Sequence, residues 1–490
     1  MIAWSNEVSE LERIVLNNCR GYVRWLTFAA LLAWFLGPAA QAQTGEATKK
    51  VLTLEQAVDF ALTHYPAVRA SLERVTAAQA GVGLARTAYL PRADMVWQTN
   101  RATDNNITGL VLPQSIIAPI SGPVPATLSG RSAWGSAAGL LFSWEPLDFG
   151  YRGAKVDAAR SVRNRAAAEA SLTRLDVAVA TVNAYLTVLA AKQTVQAAEA
   201  DMQRRETFDK AVRVLVDNQL RAGADASRAD AELARAKAKL ARAQQQEQVS
   251  RAVLADILGM PDTSVEVGES TLVEPPPAAS ADATAVAAHP SAEVEHARVE
   301  EAQAQVHALD RAYYPKFYLQ SSVYGRGSGL DPAGNFLGGS NGLGPDRGNW
   351  AAGVTVTFPV FEIFTIRSKR AIEAANERAE AARYDQTLQD LTGQLRQAQA
   401  SLEGARRVAE NTPIELDAAR STENQERSRY QAGLATLVEV ADAQSLLVQA
   451  ETDDALARLA VWQNLAAVAA SHGDLHPFLQ LLHDKTQGGH

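Results

Sequence analysis

Ala88-Tyr89-Leu90-Pro91 and Ala312-Tyr313-Tyr314-Pro315 close two helical patterns in the same way. Each aromatic-x-proline corner lies 25 residues after an earlier proline, and Pro66/Pro290, Tyr89/Tyr313 and Pro91/Pro315 all share one offset of 224 residues. Between them Ala78-Gln79-Ala80 with Val82 reappears as Ala302-Gln303-Ala304 with Val306. A repeat of this size implies a duplicated architecture rather than a single catalytic cleft.

Pro91 and Pro315 cannot continue a helix, and each biases the residue before it toward extended geometry. Downstream of each corner the apolar period changes from helical to two. Ala93, Met95, Trp97 and Thr99 alternate with Asp94, Val96, Gln98 and Asn100; Phe317, Leu319, Ser321 and Val323 alternate with Tyr318, Gln320, Ser322 and Tyr324. After a loop rich in Gly, Pro, Ser and Asn, a strand returns in each copy, giving hairpins over 92–146 and 316–360. One face of the first return carries Trp134, Ser136, Ala138, Leu140, Phe142 and Trp144, and the matching face of the second carries Trp350, Ala352, Val354, Val356 and Phe358. Small and polar residues such as Gly139, Ser143, Gly353, Thr355 and Thr357 fill the other face.

A half-buried hairpin of a soluble sandwich would show the same alternation. The aromatics at both ends of the apolar faces, Trp134 and Trp144, Trp350 and Phe358, argue for strands that cross a bilayer. Such strands run about 9–11 tilted residues, with an apolar lipid face and aromatic girdles at the two interfaces. Four strands cannot close around a pore, so several chains must pool theirs.

Beyond the hairpins each copy becomes a very long helix. The first, over 153–221, would reach about 100 Å at about 1.5 Å per residue. Its seam is a heptad, Leu172, Leu175, Val179, Val182, Leu186 and Leu189, and the second copy repeats it with Tyr384, Leu388, Leu391, Leu395, Ala398, Leu402 and Ala405. That spacing keeps one seam against a neighbouring helix. Pro413 lies inside the second long helix, where it removes a hydrogen bond or kinks the helix. The long helices are expected to reverse at Ala222-Gly223 and Ala432-Gly433, with Gly223 and Gly433 supplying positive φ. Shorter helices then return, to about Leu258 and Ala470.

The predicted organisation is a signal peptide over 1–42, a first repeat over 43–258, a linker or equatorial segment over 259–289, a second repeat over 290–470 and a C-terminal tail over 471–490. The signal peptide rests on Arg20 and Arg24, the apolar run from Trp25 to Leu36, and the cleavage site Ala40-Gln41-Ala42. Glu7, Glu10 and Glu12 in the long leader point to a translation start downstream of Met1. The chain's one cysteine, Cys19, precedes the apolar run, so the mature chain has no disulfide, thiolate chemistry or lipid-anchored cysteine. No later apolar run reaches the length of a membrane helix, which leaves membrane contact to strands. Net charge is −8 with both signs interspersed, which argues against nucleic acid as a partner.

In this order, and duplicated, these features resemble the TolC-type outer-membrane efflux protein family over about Leu52 to Phe478. The resemblance also rests on Leu52-Thr53-Leu54-Glu55-Gln56-Ala57, the strand exits Trp144-Glu145-Pro146-Leu147-Asp148-Phe149-Gly150 and Phe358-Pro359-Val360-Phe361, and the tip running from Arg429-Tyr430-Gln431-Ala432-Gly433 to Val440-Ala441-Asp442-Ala443-Gln444. It implies a mixed α and β membrane protein. Each chain would give four strands to a trimeric 12-stranded β-barrel and continue as a long periplasmic α-helical barrel. It further implies a homotrimer in outer-membrane lipid of a Gram-negative-type envelope, docked through a periplasmic adaptor (a membrane fusion protein) on an inner-membrane transporter that supplies the energy. Such ducts serve drug or solvent efflux, metal efflux and type I protein secretion. The reading adopted is a passive duct for small toxic compounds, with a type I protein-secretion duct as the alternative.

By the same resemblance Glu439 and Asp442 line the periplasmic constriction, stacked as two acidic rings by threefold symmetry, although both could equally be solvated helix charges. Tyr430 matches an aromatic that latches the closed tip, and Asp230 is a candidate partner. The basic latch residue expected two positions after the tip glycine is Ala435 here, which leaves the latch's cation unassigned.

Among enzyme signatures, His-Glu-x-x-His and a phosphate-binding glycine loop are absent from the sequence, and no catalytic residue, cofactor or metal is assigned. His472-Gly473-Asp474-Leu475-His476 reads as an exposed loop rather than a metal cluster. A soluble periplasmic coiled-coil adaptor or rod would share the heptads but would not need two aromatic-girdled hairpins.

Overall fold

The computed structural model describes residues 50–103, 130–263, 265–268, 272, 274, 286–331 and 333–487. The expected signal peptide and, within the expected 259–289 linker, residues 264, 269–271, 273 and 275–285 lie outside the described residues.

The described chain opens with β1 (Lys50–Leu52) and α1 (Leu54–His64). Thr53 caps α1 in a reciprocal box with Gln56, satisfying two donors at the helix start. Helix α1 buries Leu54, Ala57, Val58 and Ala61. Tyr65 precedes a proline and is extended, so the first copy opens with two helices, and α2 (Pro66–Thr87) starts afresh with proline in its first turn. The corner follows, then β2 (Arg92–Thr103), β3 (Ser132–Leu147), the long helix α3 (Tyr151–Asp217) and the return helix α4 (Gly223–Ile257). Strand β4 (Val265–Val267) lies parallel to β1, a two-stranded belt. The second copy supplies α5 (Pro290–Arg311), β5 (Lys316–Ser328), β6 (Arg347–Thr357), the long helix α6 (Glu362–Gln431) and the return α7 (Leu437–Ser471). Helix α6 continues through Pro413 without interruption.

The 471–490 segment, expected as a tail, carries a helix, α8 (His476–Gln487). Its Phe478 is buried edge-on to Trp462 with Leu475 and Leu482 beside it, so the loop expected to be exposed at 472–476 leads into the core. Leu475, Phe478 and Leu482, at i, i+3 and i+7, put one apolar stripe on this segment, the physical reason for the difference.

One hydrophobic core sits at mid-height, where α1, α3, α4, α6, α7, α8 and the belt converge on Tyr185, Leu186, Leu189, Leu254, Trp462 and Phe478. The Tyr185 hydroxyl donates to the Leu52 carbonyl (3.2 Å), and burial pushes its pKa up to about 12. The α3 heptad packs as its spacing requires, with Val182, Leu186 and Leu189 buried and Leu175 and Val179 against them. An 18-residue window of α3 is apolar enough by mean hydropathy (1.3) for a bilayer. Just over half of that window, 56%, is buried inside the fold. Above the core the helices lie side by side in the order α2, α3, α5, α6; below it the order is α4, α3, α7, α6.

The four long strands form one antiparallel sheet in the order β2-β3-β5-β6, so the two copies meet where β3 pairs with β5. Cross-strand register settles the two faces. Met95, Leu140, Val323 and Trp350 are directly opposite one another across all four strands and share one face. On the other face the corresponding row is Gln98, Ala137, Arg326 and Arg347. Gly139 on that face is opposite Tyr324, where an added Cβ would come within 2.7 Å of the tyrosine Cβ.

Candidate functional site: the helix tips and the sheet

The α3–α4 and α6–α7 tips close with one backbone device. Leu220 N–H donates to the Leu215 carbonyl and Leu434 N–H to the Arg429 carbonyl (2.9 and 2.8 Å), each across one left-handed residue, the pattern of a Schellman turn. The left-handed residue is Gly433 (φ 76°) in the second tip, as expected, but Gln219 (φ 60°) in the first. Gly223 has no positive φ; it is the first residue of α4, behind the extended cap Ala222. The tips therefore superpose with Gln219 on Gly433, Arg221 on Ala435, Ala222 on Thr436 and Asp225 on Glu439.

Arg221 thus holds in the first tip the place that Ala435 leaves neutral in the second. Its guanidinium lies 4.5 Å from the centroid of the Tyr430 ring and donates to the Tyr430 carbonyl (3.0 Å), joining the two hairpins. Tyr430 is buried against Phe208 (centroids 5.2 Å apart), Val212, Ala229, Leu437 and Val440. Burial and the nearby Asp225 carboxylate raise the pKa of its hydroxyl, with Arg221 opposing. Asp230, the expected partner, is instead engaged by Arg213 of α3. Arg221, Phe208 and Asp225 were missed because the visible Ala-Gly pairs suggest a different alignment of the tips; counting from the turn residue finds them.

Glu439 and Asp442 are both exposed on the first turns of α7. Glu439 also has a local task. Thr436 N–H and Oγ1 donate to its carboxylate (2.5 and 2.9 Å) and its own N–H donates to Thr436 Oγ1, a full capping box. The Thr436 backbone and hydroxyl bonds lower its pKa, aided by Arg429. Above the tips, Arg205 is almost fully buried and binds Asp201, Glu232 and Ser445, each at 3.0 Å, tying α3 to α4 and α7.

In the sheet, Trp350 is 80% exposed and Phe358, just beyond β6, 65% exposed. Trp144 is partly exposed and its Nε1 donates to the Tyr89 carbonyl (3.1 Å), fastening the strand exit to the repeated corner. Trp134 is half-buried, with Arg101 stacked 5.2 Å from its ring. At the Pro91 corner Arg152 stacks on Tyr89 (4.9 Å), bonds the Ala88 carbonyl (3.1 Å) and pairs with Asp148 (2.9 Å). Burial raises the Asp148 pKa, but the hydrogen bonds from Arg152 and Gly150 outweigh it and hold the carboxyl below its ordinary range. At the Pro315 corner Tyr314 stacks on Phe149 instead (5.4 Å).

A family profile described as "Outer membrane efflux protein" matches residues 57–260 and 284–474. Protein CyaE of Bordetella pertussis is 27% identical over 434 residues, covering 86% of this chain and 84% of that protein. The pyoverdine export outer membrane protein OpmQ of Pseudomonas aeruginosa is 23% identical over 417 residues, 83% of this chain and 82% of its own. Among solved structures, VceC of Vibrio cholerae gives a TM-score of 0.67 at 20% identity, with 86% of this chain and 96% of that chain covered. The CmeC outer membrane channel of Campylobacter jejuni gives 0.69 at 17%, with 86% and 85% covered. The fold is the one these channels share, a β-sheet portion continued by long helices, and the chain belongs to the outer membrane efflux protein family.

Proposed function

We propose that this chain is a passive duct of the outer membrane, a homotrimer that carries small toxic compounds outward from an inner-membrane pump and its periplasmic adaptor. The observation that carries the reading is the four-stranded sheet. Its Met95–Leu140–Val323–Trp350 row is exposed, its opposite face is mostly polar or small, and both edges, β2 and β6, are open. An open sheet edge in lipid leaves backbone donors and acceptors unsatisfied, whereas twelve strands from three copies can close. Trp134, Trp144, Trp350 and Phe358 are then the interface aromatics. The pyoverdine export role in the name of OpmQ favours a small-molecule cargo. No catalysis is assigned.

At the tips, Arg221 and Tyr430 form the latch between hairpins, while threefold symmetry gathers Glu439 and Asp442 round the axis. The test is mass measurement in detergent together with bilayer recording. A trimer that conducts is expected; a stable monomer that still forms channels would overturn the trimer, and a protein washed from the outer-membrane fraction by carbonate and high salt would overturn the duct.

A further inference from the structure

Asp201, Arg205, Asp209, Arg213, Asp217 and Arg221 follow one another at four-residue intervals with alternating charge, and all but Arg221 belong to α3. An interval of four overshoots the 3.6-residue turn by about 40°, so the row winds round the helix. Asp201, Arg205 and Asp209 are buried, whereas Arg213 and Asp217 are exposed. Arg205 pairs with Asp201 and Arg213 with Asp209 (both 3.0 Å), each with the acid one turn above, which is the favoured order. Both arginines also reach α4, at Glu232 and Asp230. Arg205 goes on to α7, where its Nη2 donates to the neutral Ser445 Oγ (3.0 Å). Just above, Arg204 holds Glu451 of α7 through two nitrogens (3.2 and 2.8 Å). Asp209, one turn below Arg205, is only half used. It is 6% exposed; its Oδ2 accepts from Arg213 Nε, while its buried Oδ1 has no hydrogen-bond partner among the described residues. Leaving a buried carboxylate oxygen unmatched is costly.

We propose that Asp209 is a second seat for the Arg205 guanidinium, taken when the tip opens. As α7 moves off α3 below the Arg204–Glu451 pair, Arg205 Nη2 leaves Ser445 Oγ and passes to Asp209 Oδ1, while Nε stays on Asp201 and Nη1 on Glu232. A bond to a neutral hydroxyl is thereby exchanged for one to a buried carboxylate, the stronger kind, so the bond lost to α7 is offset within α3. Asp201, Arg205, Asp209 and Arg213 then form one unbroken row of charge pairs, and the opened tip has partners already in place. The inference rests on the duct reading, under which the lower end of α7 separates from α3.

Val440 of α7 is fully buried in the apolar cluster it shares with Val212 of α3, so a V440C thiol reacts only when the two helices part. Cys19 lies in the expected signal peptide, which makes this the one thiol of the mature chain. When closing outruns labelling, the rate of maleimide modification in detergent tracks the open fraction. In the V440C background D209N should slow labelling about tenfold, the loss of one charge-assisted bond in the open state. D209E keeps the acceptor and should restore most of the rate. R213Q frees the Asp209 carboxylate for Arg205 and should speed labelling, the opposite sign. A D209N rate equal to that of V440C alone, a D209E rate as slow as D209N, or D209N and R213Q shifting the rate the same way overturns the second seat. Circular dichroism checks that each variant is folded. Should D209N not fold, R213Q decides, since its site is half-exposed, and a rate at or below that of V440C alone overturns the proposal. Labelling needs no conductance, so the expected order of rates in a protein that forms no channels would sink the duct reading and leave the exchange standing.

Discussion

Gly473 and Pro290 meet end to end: a Cβ built on the glycine would lie 2.6 Å from the proline Cδ. Gly473 ends the return helix of the second copy in the left-handed region (φ 82°), and Pro290 starts that copy's upper helix. Gly259 (φ 72°) stands in the same relation to Pro66, 4.0 Å from its Cδ and 3.6 Å from the His64 carbonyl oxygen. The prolines of the internal repeat are therefore where an upper helix stacks on a lower one. Gly259→Ala should cost about 1–2 kcal/mol for the left-handed backbone alone. Gly473→Ala should cost about 1–3 kcal/mol more, because the methyl must displace ring and backbone. Thermal unfolding followed by helical circular dichroism checks the order, and equal losses would refute it.

The same junction carries a pH dependence. His289 caps α5 by accepting from Ser291 N–H at Nδ1 and donates from Nε2 to the Ala470 carbonyl (both 3.1 Å), so the neutral ring holds both helix ends. Burial lowers its pKa below the ordinary 6.5, against the raising influence of Ala470, Asp176 and Glu293 and with that of His472. The unfolded chain therefore takes up the proton first. Stability is full above about pH 6.5 and falls as the pH drops below it. His289→Asn keeps a capping side chain without the titration. The loss of melting temperature between pH 7.5 and 5.5 should be smaller in this variant than in wild type, and identical losses would remove His289 as the cause.

At the tips the latch separates into two testable parts. The Tyr430 hydroxyl is buried without a hydrogen-bond partner among the described residues, whereas its ring and carbonyl hold Arg221. Tyr430→Phe should therefore leave single-channel conductance unchanged. Arg221→Ala removes a cation–π contact and a charge-assisted bond, together about 2–4 kcal/mol, and should raise the open fraction. A Tyr430→Phe channel as open as Arg221→Ala would assign the latch to the hydroxyl.

The two faces of the sheet predict opposite tolerance to charge. Trp144→Asp and Phe358→Asp place a carboxylate toward lipid, at a depth-dependent cost. Thr355 is on the other face, where its Oγ1 donates to Gln320 Oε1 (3.3 Å). Thr355→Asp should therefore assemble in the outer membrane at near wild-type yield while the first two fail. Equal yields at all three positions would exchange the faces.

Most of the architecture was legible because proline corners, period-two strands and heptads are local signals. Met95, Trp97 and Leu140 announced their face through alternation alone, and pairing across β3 and β5 added only the order of strands. The turn residue of the first tip was not legible, since Gln219 adopts a left-handed conformation that glycine usually takes, while the nearby Gly223 is helical. Aligning the glycines shifted the whole tip by four residues and hid Arg221 and Asp225. The α1–α2 break did have a signal in the sequence: Pro66 biases Tyr65 toward extended geometry and suits the first turn of a new helix.

Glu439 has two possible duties, and a charge-neutral isostere separates them. Glutamine fills the third position of a capping box as glutamate does, so Glu439→Gln retains the Thr436 contacts and loses the charge. If Glu439 and Asp442 form acidic rings, the E439Q/D442N double variant should raise conductance through the tip and weaken block by multivalent cations added from the helical side. Three like charges round a narrow axis hold a polyvalent cation strongly. The difference should shrink at 1 M salt, where the Debye length is about 3 Å. Glu439→Ala loses cap and charge together and should also lower helix stability at the tip. Recordings in which E439Q/D442N keeps wild-type conductance and cation block, while Glu439→Ala alone disturbs gating, would confine Glu439 to its capping role and put Asp442 on the solvated side of α7.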